Sequence, residues 1–477
     1  MVDLLPVTLA LLSGLAFVYL LLKHFAKEGC PSKLPHGNMG WPICGETLGF
    51  LKSHKSNSMG TFLEEHCSRY GKVFKSHLFG SPTIVSCDHE LNMFILQNEG
   101  KLFPVDYPKP MHQILGKFSL LLVSGDLHKK LRNTIISFIR ASKSEPKFLH
   151  CVENLSLSTI ESWGGRKEVA FYKEAKRFTL NAMLKHLLNI DPEEPLASKI
   201  LEEFETYIKG FVSLPLRIPG TTCFKAIKAR VRLTSIFKEI LAERLKGDAG
   251  PAEGADCLNV ILSKQNLSDE ERVSIVMDLL FGGYETTAKL ISLIVYFLGQ
   301  APYSFEKLKE EHQAVRKIKK DGEPLNLEDY MKMEFTNNVI YEAMRYGNVV
   351  KFLHRKALQD VKFKDFVIPS GWKVLPVLSS SHFDPTLHEN PQEFNPWRWN
   401  GNATSKKVLP FGGGPRLCPG ADVAKVEISF FLHHLVLNYR WKTKADECPL
   451  ALPYVEFTRG LLLEIEPTEK SFGRNPL

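Results

Sequence analysis

Cys418 sits in Phe411-Gly412-Gly413-Gly414-Pro415-Arg416-Leu417-Cys418-Pro419-Gly420, the segment richest in chemistry-bearing residues. Its glycines allow a tight turn that aims backbone N–H groups inward. Such N–H groups hydrogen-bond a thiolate sulfur and tune its electron donation. An apolar helical pattern starts just past Gly420 and runs through Ala421, Val423, Val426, Ile428 and Phe431. The thiol therefore stands at a helix N-terminus, where the dipole favours an anionic sulfur. Arg416, close by, suits a carboxylate in bidentate fashion. A lone thiolate, a guanidinium and the flat ring of Phe411 are what iron protoporphyrin IX (haem b) needs: Cys418 as axial iron ligand, Arg416 as propionate clamp, Phe411 as cover for the sulfur. The bland alternative is a Gly-rich turn around a structural cysteine. At average residue usage the full Phe-x-x-Gly-x-Arg-x-Cys-x-Gly spacing should arise by chance in roughly one such chain in ten thousand.

A second irregularity is Gly282-Gly283-Tyr284-Glu285-Thr286-Thr287. It interrupts an apolar run that opens with a Ser268–Glu271 capping box, carries Asp269 and Glu270 in its first turn, and stops at Gly299 and Pro302. At about 30 residues this predicts a helix of roughly 45 Å, buried along most of its length. Two glycines cost about 1 kcal/mol each in a helix interior, and an acid in the core costs more. Local rules broken mid-helix mark a functional site. A packing glycine pair with a solvated Glu is the alternative.

These residues carry a resemblance to the cytochrome P450 family that extends over nearly the whole chain. Gly283-Tyr284-Glu285-Thr286 is similar to the family's acid–Thr motif, and Glu342-Ala343-Met344-Arg345 to its Glu-x-x-Arg helix. The resemblance implies that this pair joins Arg398, in Phe394-Asn395-Pro396-Trp397-Arg398-Trp399. In His128-Lys129-Lys130-Leu131-Arg132, Arg132 fits a haem-propionate arginine, with His128 where the family places Trp. Arg355 resembles another propionate arginine. Within the family, Ser213-Leu214-Pro215-Leu216, Gly347 to Ala357 and Leu432-His433-His434-Leu435-Val436 resemble plant sterol hydroxylases of the brassinosteroid branch. That implies hydroxylation of a sterol or steroid side chain at C-22, with C-23, C-16 or a triterpenoid as alternatives.

The elements that must position these groups are also readable. Lys72 to Phe79 alternates, meets Gly80-Ser81-Pro82 and continues as Thr83-Ile84-Val85, which predicts a β-hairpin. Short strands are expected between Val361 and Val374, around Pro369-Ser370-Gly371. Between about 87 and 345 the pattern is mainly helical. The expected fold is mainly α with a small β region drawn from both ends of the chain, the cytochrome P450 fold. Leu4 to Leu22 is 19 residues without a charge, roughly 28 Å as a helix, and Lys23 and Lys27 follow it. This predicts a single-pass N-terminal anchor in the endoplasmic reticulum membrane with a cytosolic body. A cleaved signal peptide is the rival, but the segment has no basic start and its apolar run is long. The expected division is an anchor at 1–23, a Pro/Gly-rich linker at 24–46 and a haem domain at 47–470.

Composition agrees with a large globular body: 44% of the 477 residues are hydrophobic and 24% charged. The net charge of +8 is spread without a long like-charge block, so no nucleic-acid partner is expected. The cysteines number nine, with no C-x-x-C pair, which argues against a disulfide framework.

By this reading, oxygen activation consumes two protons, which Glu285 and Thr286 would relay with ordered water. Val349, Val350, Leu353 and Leu461 are the expected substrate wall, with Leu120 to Leu122, Leu214, Leu216 and Leu462 as further candidates. No flavin or nicotinamide motif is present, so electrons come from an NADPH–cytochrome P450 reductase. Lys129 and Lys130 could dock that partner, or be only a solvated face. Two other classes share the haem-thiolate signature: a reductase-independent haem-thiolate isomerase or dehydratase, and a non-catalytic haem-binding membrane protein. The Glu285-Thr286 pair speaks against both.

Overall fold

The computed structural model describes residues 33–468 apart from 42–43, 143–144, 214–215, 247–256, 321, 402–407 and 445–446, together with a few positions between 8 and 19. Its long helices are α1 Gly125–Ser142, α2 Pro146–Glu161, α3 Phe171–Leu188, α4 Pro195–Lys209, α5 Thr222–Lys246, α6 Asp269–Leu298, α7 Pro302–Lys317, α8 Glu334–Gly347 and α9 Ala421–Asn438. The strands that bear on the site are β1 Val73–Leu78, β2 Ser81–Ser86, β3 Glu168–Ala170, β4 Arg355–Lys356, β5 Lys373–Pro376, β6 Tyr439–Thr443 and β7 Leu462–Pro467.

Strand β1 alternates buried and half-buried positions, so Phe74, Ser76 and Leu78 turn inward. It pairs antiparallel with β2, from Val73 opposite Ser86 to Leu78 opposite Ser81. The connection is Phe79 and Gly80, both at positive φ (53° and 74°), so Ser81 and Pro82 belong to the strand rather than the turn. The sheet continues β1-β2-β5-β4, with β2 and β5 parallel, and so joins residues near 80 to residues near 370. A second sheet, β3-β7-β6, brings a three-residue strand out of the helical region to pair with the C-terminal strand, Ala170 opposite Leu462. Sequence patterning gave no sign of β3, which is too short to alternate.

Helix α6 organises the core. Ser268 and Glu271 cap it reciprocally: the Glu271 N–H donates to Ser268 Oγ at 3.3 Å, and the Ser268 N–H to Glu271 Oε2 at 2.7 Å. Its 30 residues end at Gly299. Leu280, Ile291 and Leu293 of α6, Leu180 and Leu184 of α3 and Phe430 and Phe431 of α9 are fully buried in one apolar cluster. Gly283 of α6 packs against α3: a Cβ there would stand 2.4 Å from Met183 Sδ, so that flexible side chain would have to move.

Part of the Pro/Gly-rich stretch expected as a linker lies on the body. The Lys75 N–H donates to His36 O at 3.0 Å, and Gly45 approaches His77 so closely that a Cβ would meet its carbonyl oxygen. Most of the expected anchor, Leu4 to Leu22, falls outside the described residues. Among the described residues no helix is long and apolar enough to cross a membrane.

Candidate active site

The turn before α9 forms because Gly412 and Gly414 adopt φ of 75° and 65°. A Cβ on Gly414 would stand 2.1 Å from Leu96 O, so only glycine fits. The Cys418 N–H donates to Phe411 O at 3.0 Å and closes the loop. Phe411 is half-buried against the main core, edge-on to Tyr341. Cys418 is surrounded by protein yet borders open space. Burial raises its thiol above the ordinary range, while the N–H groups of Gly420 and Ala421 and the charge of Arg132 pull the other way. The helix-start amides thus reach the sulfur, the arrangement a thiolate ligand requires.

On α6 the glycines divide. Gly283 is a packing residue, whereas no protein atom lies within 4 Å of a Cβ built on Gly282. Thr286, one turn on, is also only partly covered, and its hydroxyl donates back to Gly282 O at 2.5 Å. Glu285 turns elsewhere. Tyr172 Oη donates to its Oε1 at 2.9 Å, Lys289 Nζ lies 2.9 Å from Oε1, and Lys176 Nζ lies 3.7 Å from Oε2. Burial works to raise this carboxyl, but Lys289, Lys176 and Tyr172 together hold it below the usual range, so it is ionised at neutral pH. The two residues read as one relay therefore sit in different settings: Thr286 by open space, Glu285 in a buried ion-pair cluster.

Glu99 faces two of the expected arginines, Arg416 and Arg355. Arg132, on α1, donates Nη2 to Leu417 O at 2.6 Å. Arg416 donates Nε to Glu99 at 2.6 Å, and its terminal nitrogens to Leu120 O at 2.9 Å and Val123 O at 2.5 Å. Its fork is thus engaged by protein groups rather than left open for a carboxylate. Arg355, at the start of β4, is almost fully buried; it bonds His354 O and Tyr107, and its Nε has no partner. Burial first, then neighbouring Arg416, work to hold Arg132 and Arg355 below the usual guanidinium range. His128 is pushed down to about 4 by burial and by Arg416, so it is neutral here.

Arg416 and Arg355 share Glu99, Arg132 feels the charge of Arg416, and Arg355 has an orphaned donor, so the setting calls for further negative charge. The open faces of Gly282, Gly412 and Gly420 leave room for a flat body beside a cysteine sulfur. A dianionic iron macrocycle fits this donor set. Among the described residues no cluster of His, Cys, Asp and Glu could hold a bare metal ion.

Glu342, Arg345 and Arg398 come together in one buried network. Arg345 is fully buried and grips Glu342 through Nε (2.9 Å) and Nη2 (2.7 Å), and donates to the carbonyls of His382, Pro391 and Glu393. Arg398 Nε donates to Glu342 Oε1 at 3.0 Å, and Trp399 Nε1 donates to Glu342 Oε2 at 2.9 Å. Burial opposes ionisation of Glu342, and the two arginines overcome it.

The expected substrate wall is divided. Val349 is half-buried against the main core and Val350 is exposed. Leu353 is half-buried against Leu96, Leu378 and Leu409, whereas Leu461 is fully buried in the main cluster and acts as core. Leu214 lies outside the described residues. Lys130 is held by Glu271 at 2.8 Å and Lys129 by Asp126 at 3.3 Å. Sequence reasoning missed Glu99, Tyr107, Tyr172, Lys176 and Lys289; only Lys289, four residues past Glu285, carried a signal.

Fold and site together are those of a haem protein. Residues 35–469 match the family model described as Cytochrome P450, and the chain belongs to that family; its cofactor is haem and it is a monooxygenase. It is 54% identical to Cytochrome P450 724B1 of Oryza sativa subsp. japonica, over 94% of this chain and 95% of that one. It is 42% identical to Cholesterol 22-monohydroxylase CYP90B52 of Paris polyphylla, over 96% and 98%. Among solved structures it resembles retinoic acid-bound cyanobacterial CYP120A1, with a TM-score of 0.81, 26% identity, and 92% and 100% of the two chains covered.

Proposed function

We propose that this chain hydroxylates a plant sterol or steroid side chain at C-22, using O2 and electrons from NADPH–cytochrome P450 reductase. The observation that carries this reading is 42% identity, over nearly the full length of both chains, to a protein named for that reaction on cholesterol. Bound haem supplies the oxygen chemistry. The protein's part is to hold Cys418 in its glycine turn, to offer Arg132, Arg355 and His128 at the propionate edge, and to keep Thr286 beside open space as a proton-handling hydroxyl. A sterol buries several hundred Å² of apolar surface at about 25 cal/mol per Å², enough to hold it against lipid. Residues 1–23 are read as the membrane anchor that keeps the body at the endoplasmic reticulum, where such a substrate is dissolved.

The test is an incubation of microsomes carrying this chain and a reductase with campesterol and cholesterol. NADPH-dependent 22-hydroxy product is expected. Conversion at another carbon would overturn the position; conversion of neither sterol, with an intact CO spectrum, would overturn the substrate class. Deleting residues 1–27 should leave a haem-loaded body with weaker membrane partition.

A further inference from the structure

Asp278 is half-buried on α6, between the buried Met277 and Leu279. A carboxylate there is costly unless every oxygen is used. Both are: Ser119 Oγ donates to Oδ1 at 2.7 Å, and the Leu120 N–H donates to Oδ2 at 2.6 Å. The ionisable groups around it are Arg230 of α5 and Tyr207 of α4. Burial pushes the carboxyl up to about 7, against those two hydrogen bonds and Arg230.

The partners of Asp278 belong to a tight turn. The N–H groups of Leu122 and Val123 both donate to Ser119 O, at 2.9 and 3.0 Å. Its other side is held by the cysteine loop, because Arg416 donates to the carbonyls of Leu120 and Val123. Residues 119–123 are thus strung between α6 and the loop that carries Cys418. On α6, Asp278, Gly282 and Thr286 recur every four residues and fall within about 80° of one another around the helix. The clamp is therefore on the side of α6 that opens at Gly282 and Thr286.

We propose that Asp278 is a positioning residue: it fixes the 119–123 turn as a wall of the substrate chamber and thereby sets which carbon of the substrate is presented for hydroxylation. This rests on the sterol reading above. Neighbouring carbons of an apolar tail differ by only about 1–3 kcal/mol in a pocket, so a wall displaced by a fraction of an ångström redistributes them.

The test uses the haem-loaded full chain and the variants Asp278→Asn, which keeps one acceptor, Asp278→Leu, and Ser119→Ala, which cuts the clamp from the turn side. Three quantities are read: haem per chain, deuterium uptake by peptides spanning 117–124, and the sterol product distribution. Expected are unchanged haem content, uptake several-fold faster in those peptides alone, and a minor-product share that rises in the order Ser119→Ala, Asp278→Asn, Asp278→Leu. Unchanged uptake in all three variants would overturn the clamp, and faster uptake with an unchanged product distribution would overturn the specificity role. If the wild type converts no sterol, the substrate reading fails, and so does the specificity role that rests on it; the uptake data still decide the clamp.

Discussion

Lys289 Nζ lies 2.9 Å from Glu285 Oε1, one turn along the same helix, and both side chains are almost completely buried. With Tyr172 and Lys176 closing the cluster, the carboxylate is a fixed charge inside the core. Its folded-state pKa is depressed, so its contribution to stability is complete above about 4.5 and is lost as pH falls through the lower, folded value.

Removing the cation should invert that dependence. In Lys289→Met, burial of Glu285 should outweigh its remaining partners, Lys176 and Tyr172, and raise the carboxyl, so the folded state should gain stability on acidification. The variant should be destabilised by about 3 kcal/mol at pH 7.5, as for a broken buried pair. The deficit should shrink toward pH 5.5, read as the difference in thermal midpoint from wild type. A deficit that is constant with pH would show that Lys289 acts only through packing.

Thr286→Ala should keep haem and sterol binding but waste electrons. Product formed per NADPH should fall by about 10-fold, below the ceiling of roughly 10²–10⁴ that a positioned proton-transfer group contributes. Coupling equal to wild type would leave Thr286 with only its bond to Gly282.

Arg355→Gln tests the orphaned donor. A charge-assisted hydrogen bond contributes about 1.5–3 kcal/mol, so haem loss to an acceptor globin should accelerate about 10- to 100-fold. An unchanged transfer rate would mean that Arg355 serves the sheet and not the cofactor.

What the sequence disclosed follows from the range of each interaction. The cysteine turn and α6 were readable because glycines at special φ, a capping box and a stop signal act over a few residues. The Glu285 cluster was not, because Tyr172 and Lys176 arrive from α3, more than a hundred residues away in the chain. Arg416 shows the same limit: its type and place next to Cys418 suggested an open carboxylate clamp, whereas Glu99 and two carbonyls from distant loops occupy it. Leu461 reads as pocket wall from its type alone, and only tertiary packing assigns it to the core. Strand β3 has three residues, fewer than an alternation needs to declare itself.

The central claim is that Cys418 is the thiolate ligand of a haem monooxygenase, and the reduced, CO-bound spectrum tests it most directly. The wild-type chain should show the red-shifted Soret band of thiolate-ligated haem, and Cys418→His should retain haem but move that band to the position of imidazole-ligated haem. A Cys418→His or Cys418→Ala protein that keeps the thiolate band would contradict the assignment.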